Sequence, residues 1–329
     1  MNKKIEKIAK RSIQGGGISY DEAYYLMEIN VNEIYDLFYQ ANHIRYKSFK
    51  NAVSLCSILS AKQGLCSEDC TFCSQSSRYK TNITSYSLVE KEEIAKAVEK
   101  GKKYKADCIG VVTSGYGLGM SEDFNRICDN VSELSGDGNI PIHTSIGTIT
   151  SEMAGKLSES GVEMINHNLE TSEKYFPNIC TTHSYQERID TIKIAKNANM
   201  KICSGGVFGV GESVEDRLDL AFTLKGLDVD VVPLNFLNPI EGTPLTCEKS
   251  LSPLEILKII AVYRFIFPYK EIKVAGGREA NLRDLQSWMF YAGANSTMIG
   301  NYLTTSGKSA NDDLQMIKDL GLIPSKIGW

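Results

Sequence analysis

From residue 51 onward, eight short apolar runs alternate with longer amphipathic segments, and few folds satisfy that alternation. The runs predict strands at 53–59, 106–112, 140–145, 162–168, 200–204, 229–236, 271–275 and 296–299. The segments between them predict helices at 90–103, 121–134, 150–159, 184–198, 213–226, 252–267 and 284–292, with a last one near 311–320. Thr150, Ser184, Ser213 and Ser252 stand where helix N-caps are needed, and Glu187 and Glu255 lie three residues past two of them. Side-chain parity separates the faces. Ile109 and Val111 oppose Ala106, Cys108 and Gly110, and Ile140 and Ile142 oppose Pro141, His143 and Ser145. A branched outer face and a small or polar inner face fit an α/β fold of the closed (β/α)8 TIM-barrel type better than an open doubly wound sheet. Residues 1–50 read as an N-terminal helical extension, with helices at 5–13, from Ser19, and at 32–44. Residues 51–329 then form the barrel with a C-terminal helix.

Charge and hydropathy exclude several classes. The chain has 36 basic and 40 acidic side chains, a formal net charge of −4, so no basic footprint for nucleic acid is expected. No run approaches the roughly 18 apolar residues that cross a bilayer, and Met1-Asn2-Lys3-Lys4 leads into no apolar stretch. A cytoplasmic protein without membrane or nucleic-acid partners is expected.

The nine cysteines point to metal ligation rather than disulfides, being odd in number and without a secretory signal. Cys128, Cys180 and Cys247 read as small buried packing residues. Cys66-Ser67-Glu68-Asp69-Cys70-Thr71-Phe72-Cys73 does not. Its C-x3-C-x2-C spacing lets three thiolates each take one iron of a [4Fe–4S] cubane and leaves the fourth iron open for chemistry. A zinc site, needing a fourth ligand or a water, is the alternative.

This loop, with an aromatic before its last cysteine, resembles the radical S-adenosylmethionine superfamily. The resemblance implies that the open iron chelates the methionyl part of S-adenosylmethionine, that reductive cleavage yields a 5′-deoxyadenosyl radical, and that Phe72 helps seat the adenine. Within that superfamily, five passages resemble the biotin synthase family. They are Cys66 to Thr81, Asn166 to Ser172, Tyr185 to Thr191, Cys203 to Gly206 with Gly209, Gly211 and Glu212, and Gly276 to Glu279 with Ala292 to Ser296. The resemblance implies sulfur insertion into dethiobiotin from an auxiliary iron–sulfur cluster, a flavodoxin or ferredoxin as electron donor, and a homodimer. It implies Asn168 and Asn235 as the main contacts to the cyclic urea, with Asn166 assisting. Their carboxamides carry both the donors and the acceptor a urea needs; strand-end hydrogen bonding is the alternative role. Glu170 takes the position that holds the nucleotide ribose, usually Asp. Gly205 and Gly206 lie in a loop permitting close approach of a nucleotide, or simply in a tight barrel turn.

The chain departs from the family pattern at the auxiliary cluster. His143 stands where a cysteine is expected and Lys273 where an arginine is expected. Protonated lysine is a poor iron ligand. Cys56 offers a replacement, so the expected ligands are Cys56, Cys108, His143 and Cys203. These suit a [4Fe–4S]-like cluster, with [2Fe–2S] as the alternative, and Lys273 and Ser296 stand beside it. Other radical enzymes, such as a lyase-type maturase or a methylornithine-forming mutase, and an iron–sulfur electron carrier or scaffold are the rival readings.

Overall fold

The computed structural model describes residues 2–136, 140–248 and 250–326. The described residues form ten strands: β1 (Ala52–Lys62), β2 (Cys108–Thr113), β3 (Ile142–Ser145), β4 (Met164–Asn166), β5 (Lys201–Cys203), β6 (Gly206–Phe208), β7 (Val231–Phe236), β8 (Glu271–Val274), β9 (Ser296–Met298) and β10 (Ile323–Pro324). Three helices precede the first strand: α1 (Lys3–Gly15), α2 (Tyr20–Met27) and α3 (Ile34–Phe49). Between the strands run α4 (Lys91–Lys103), α5 (Glu122–Leu134), α6 (Ser151–Glu159), α7 (Tyr185–Asn197), α8 (Val214–Gly226) and α9 (Pro253–Ile266). After β8 come α10 (Arg278–Leu282) and α11 (Trp288–Tyr291), and α12 (Ala310–Asp319) follows β9.

Every ladder is parallel, and β1 pairs with both β2 and β9, which closes the sheet into an eight-stave barrel. One stave is split into β5 and β6, which pair with β7 in turn. Gly205 makes the join possible: a Cβ there would lie 1.9 Å from the Pro233 carbonyl oxygen. The outward residues Val53, Leu55, Ile109, Val111, Ile142, Ile202, Val232 and Ile272 are buried under the helices, as the parity argument requires. β10 was not expected; it pairs with the start of β1 and brings the tail to the N-terminal end of the barrel.

That end is fastened by side chains standing just before the strands. Asp107 accepts the Leu55 amide at 2.8 Å, Asp230 the Ile202 amide at 2.8 Å and Asn295 the Ile272 amide at 2.9 Å. The N-terminal helices cover α9, most of which is buried, whereas an ordinary barrel helix shows one face to water. The expected helix at 284–292 is broken. Arg283, at φ +51°, ends α10, and a short 3-10 turn at Arg283–Leu285 separates it from α11.

Candidate active site

The loop after β1 carries Cys66, Cys70 and Cys73 to the C-terminal mouth of the barrel, where strand ends converge. Its backbone is held from both sides. Cys66 donates to the Gln75 carbonyl at 3.0 Å, Ser77 to the Cys66 carbonyl at 2.8 Å, and Thr71 to the Ile179 carbonyl at 2.9 Å. The three thiols line a cavity of about 400 Å³ together with Phe72, Asn166, His167, Asn168, Glu170, Arg188 and Asn235. Burial raises the Cys66 thiol and takes Cys73 up to about 11. Buried thiols of that kind become thiolates only when a metal replaces the proton.

The walls supply unmatched polar atoms. Asn166 Oδ1, His167 Nε2 and Glu170 Oε2 are buried without a partner. Each such atom costs about 1–3 kcal/mol unless a ligand or water completes it. Burial, opposed by the Arg188 charge, raises the Glu170 carboxyl. Glu170 has φ +70°, and its carbonyl comes so close to Gly206 that a Cβ there would sit 2.3 Å away. Gly205 and Gly206 are therefore glycines because neighbouring backbone fills the space beside them. Asn168 Oδ1 accepts the Gly205 amide at 3.2 Å; Asn235 accepts the Gly276 amide at 2.9 Å and donates to the Gly206 carbonyl at 3.2 Å. Strand-end bonding thus occupies part of each. Asn166, expected only to assist, is the asparagine whose oxygen has no partner.

A second group stands under the loop. Cys180 Sγ lies 3.3 Å from His183 Nδ1, and that nitrogen is 2.6 Å from Glu68. Arg188 Nε donates to His183 Nε2 at 3.1 Å, and Arg188 Nη1 donates to the Asn168 carbonyl at 2.9 Å. Ligand atoms of Cys70, Cys180 and His183 lie within 4.8 Å of one another, a donor set able to take a metal ion. The hydrogen bond from Cys70 lowers Cys180 to about 4, with His183 and Thr182 adding to it against burial. Cys180, expected to be a packing residue, belongs to this group with His183, while Glu68 and Arg188 reach it from the Cys66–Thr81 and Tyr185–Thr191 passages. The C-x2-H spacing of Cys180 and His183 was the available signal. Of the other two cysteines read as buried, Cys247 is exposed and Cys128 half-buried; both lie outside the barrel strands, where no inward face holds them.

Deeper in the barrel, Cys56 and Cys108 are register partners on β1 and β2, with Sγ atoms 3.4 Å apart. Cys203 on β5 and His143 on β3 are buried too. Burial, with Lys273, Lys326 and Lys201 adding to it, lowers His143 to about 3; its Nδ1 has no partner. A neutral imidazole with an unengaged nitrogen is what a metal ligand must be. The hydrogen bond from Cys108 lowers the Cys56 thiol against burial, and burial takes Cys203 up to about 12. Lys273 Nζ lies 3.8 Å from the Glu271 carboxylate, and its pKa is raised because the surrounding sulfurs and Glu271 outweigh burial. It is a charge partner in this group. Ser296 is its register neighbour on β9.

Comparisons with known proteins agree with this geometry. Residues 62–224 match the Radical SAM superfamily and residues 233–323 the Biotin and Thiamin Synthesis associated domain. The chain is 47% identical to a biotin synthase of Geotalea daltonii over 98% of both chains, and 48% identical to one of Geobacter metallireducens over the same shares. The chain belongs to the biotin synthase family. Crystal structures of a methylornithine synthase (TM-score 0.81, 21% identity, 97% of both chains) and of a hydrogenase maturase (TM-score 0.84, 16% identity, 98% of this chain and 75% of that one) share its fold. The family's radical SAM region spans the three-cysteine loop and the strands up to α8, so the chain uses S-adenosylmethionine and iron–sulfur cofactors. The residues fit these groups: three thiols face an open cavity, and unpartnered polar atoms stand in its wall. Among the described residues no helix is long and apolar enough to cross a membrane.

Proposed function

We propose that the chain converts dethiobiotin to biotin by cleaving S-adenosylmethionine reductively and inserting sulfur from an auxiliary iron–sulfur cluster. The observation that carries this reading is two separate thiol groups in one barrel. Cys66, Cys70 and Cys73 stand at the mouth, and Cys56, Cys108 and Cys203 with His143 lie deeper inside. Cys66, Cys70 and Cys73 would hold a [4Fe–4S] cluster, which when bound would supply the electron that breaks the carbon–sulfur bond. Phe72, in the cavity wall, would border the adenine, and Glu170, with Arg188 3.8 Å away, would hold the ribose. Asn166, Asn168 and Asn235 converge on the cavity and complement a urea carbonyl and its two N–H groups. The enclosing barrel keeps water from a carbon radical and holds the reactants together.

For the auxiliary cluster we assign Cys56, Cys108, His143 and Cys203 as ligands and favour a [4Fe–4S]-like core over [2Fe–2S]. Lys273 and its register neighbour Ser296 would donate hydrogen bonds to its sulfur. The reductant is a flavodoxin or ferredoxin, the working form a homodimer, and the compartment the reducing cytoplasm, where nine free thiols persist.

Anaerobically reconstituted protein given a reductant, S-adenosylmethionine and dethiobiotin should form both 5′-deoxyadenosine and biotin. Deoxyadenosine without biotin would reject the substrate assignment. Cys56→Ala and His143→Ala should each remove the auxiliary Mössbauer signal and leave that of the mouth cluster. Retention of the signal in both would reject the ligand set.

A further inference from the structure

The floor of the barrel holds a second opening, on the side away from the radical chemistry. Ser54, Asp107, Pro141, Glu163, Met164, Lys201, Val231 and Glu271 stand at the N-terminal ends of seven different staves. With Cys108, His143, Lys273 and Lys326 they line a narrow cleft. Its inner end is formed by Cys108 and His143, two of the proposed auxiliary ligands; Lys326, exposed on the tail that β10 brings beneath the barrel, stands at its outer end. The space comes to about 20 Å³, room for one species of water's size. Neither a nucleotide nor a biotin precursor fits.

Its charges are arranged unequally along its length. Asp107 is engaged with the Leu55 amide, and Glu271 faces Lys273. Glu163 is exposed at the rim. At His143 the charges that act are those of Lys273, Lys326 and Lys201, all positive. The same lining holds three carboxylates, Asp107, Glu163 and Glu271, so positive charge prevails only at the His143 end, where it favours a small anion.

We infer that this cleft admits hydrosulfide to the auxiliary site, so that sulfur is replenished from the barrel floor while the mouth remains for S-adenosylmethionine and dethiobiotin. The inference rests on the auxiliary-cluster reading above. A cluster that gives up a sulfide to its product must regain one to act again. While substrate and nucleotide are bound they would occupy the mouth route to it. Hydrosulfide entering from below would lose its proton to solvent and return sulfide to the cluster that Cys56, Cys108, His143 and Cys203 would hold, with no electron exchanged.

The test uses holoprotein whose auxiliary cluster has been spent by one turnover, then supplied with radiolabelled hydrosulfide without oxygen. Label in acid-labile sulfur is followed together with recovery of the auxiliary Mössbauer signal. Lys326→Glu should slow recovery about fivefold, Glu163→Lys should speed it, and added salt should slow the unsubstituted protein. Lys96→Glu, exposed on α4 and outside the cleft's lining, should change nothing. Equal recovery rates in Lys326→Glu, Glu163→Lys and the unsubstituted protein would reject the floor passage while leaving the cluster assignment standing. Fully loaded protein that shows iron and sulfide for the mouth cluster alone would reject both.

Discussion

Arg188 joins groups that the sequence places far apart: it meets His183 under the cysteine loop, the Asn168 carbonyl beyond β4, and the Glu170 carboxylate in the cavity wall. Arg188→Met should leave both cluster spectra intact and weaken S-adenosylmethionine binding roughly tenfold, the worth of one charge-assisted hydrogen bond. A titration of the cluster spectrum with nucleotide reads this directly, and an unchanged dissociation constant would show that Glu170 holds its place without help. Glu187 acts between the same loops. Its carboxylate accepts hydrogen bonds from Tyr116 and from the Ser184 amide and hydroxyl, which lower it to about 2 from an ordinary 4.5. A depressed carboxyl stabilises the fold above its unfolded value, and that contribution is lost as pH falls from about 4.5 towards about 2. Glu187→Gln should therefore flatten the acid limb of stability within that window, by well under 1 kcal/mol because the group is largely solvated. Chemical denaturation at pH 7 and pH 3 tests the sign: the gap between the two proteins should be larger at the higher pH.

Among the elements, the helices follow local rules closely. Ser19, Ser184, Ser213 and Ser252 each complete a capping box, the residue three places on returning a bond to the cap amide. Pro253 at the first turn of α9 is preset for helix and its missing amide is no loss there. Ser252→Ala should cost about 1 kcal/mol of stability with no change in cluster content, measurable by urea denaturation. Such signals are complete within four residues, which explains why α4 to α9 were legible in the sequence. α10 and α11 were not, because their boundary is Arg283 in a left-handed conformation that no local rule demands. β6 escaped for the converse reason. Gly206, Val207 and Phe208 pair with β7, and only the neighbouring stave makes so short a run a strand.

In the whole molecule, the C-terminal helix is tied to the barrel by one buried pair. Arg278 Nη2 donates to both Asp313 oxygens at 3.0 Å, and Nη1 to the Thr297 hydroxyl at 2.9 Å. Glu279 adds a contact at 3.0 Å. Removing one partner strands a buried charge, so Asp313→Ala should cost about 3–5 kcal/mol and loosen α12 before the barrel unfolds. Hydrogen exchange should show the loss first in residues 310–319; uniform loss would place the pair in the global core instead. Local chemistry by itself determined the eight staves, the helices α4 to α9 with their caps, and the C-x3-C-x2-C loop, because strand period, cap identity and ligand spacing are all written within a few consecutive residues. The closing of β1 on β9 was an expectation from the number of staves; the pairing itself joins residues far apart in the chain. Only the tertiary structure decided the remainder. It set Cys180 against Cys70 and ran Arg188 to Glu170. It left Asn166 with an open oxygen and gathered three lysines around His143. Those relations depend on which strand end faces which loop once the barrel closes, and no periodicity along the chain records that.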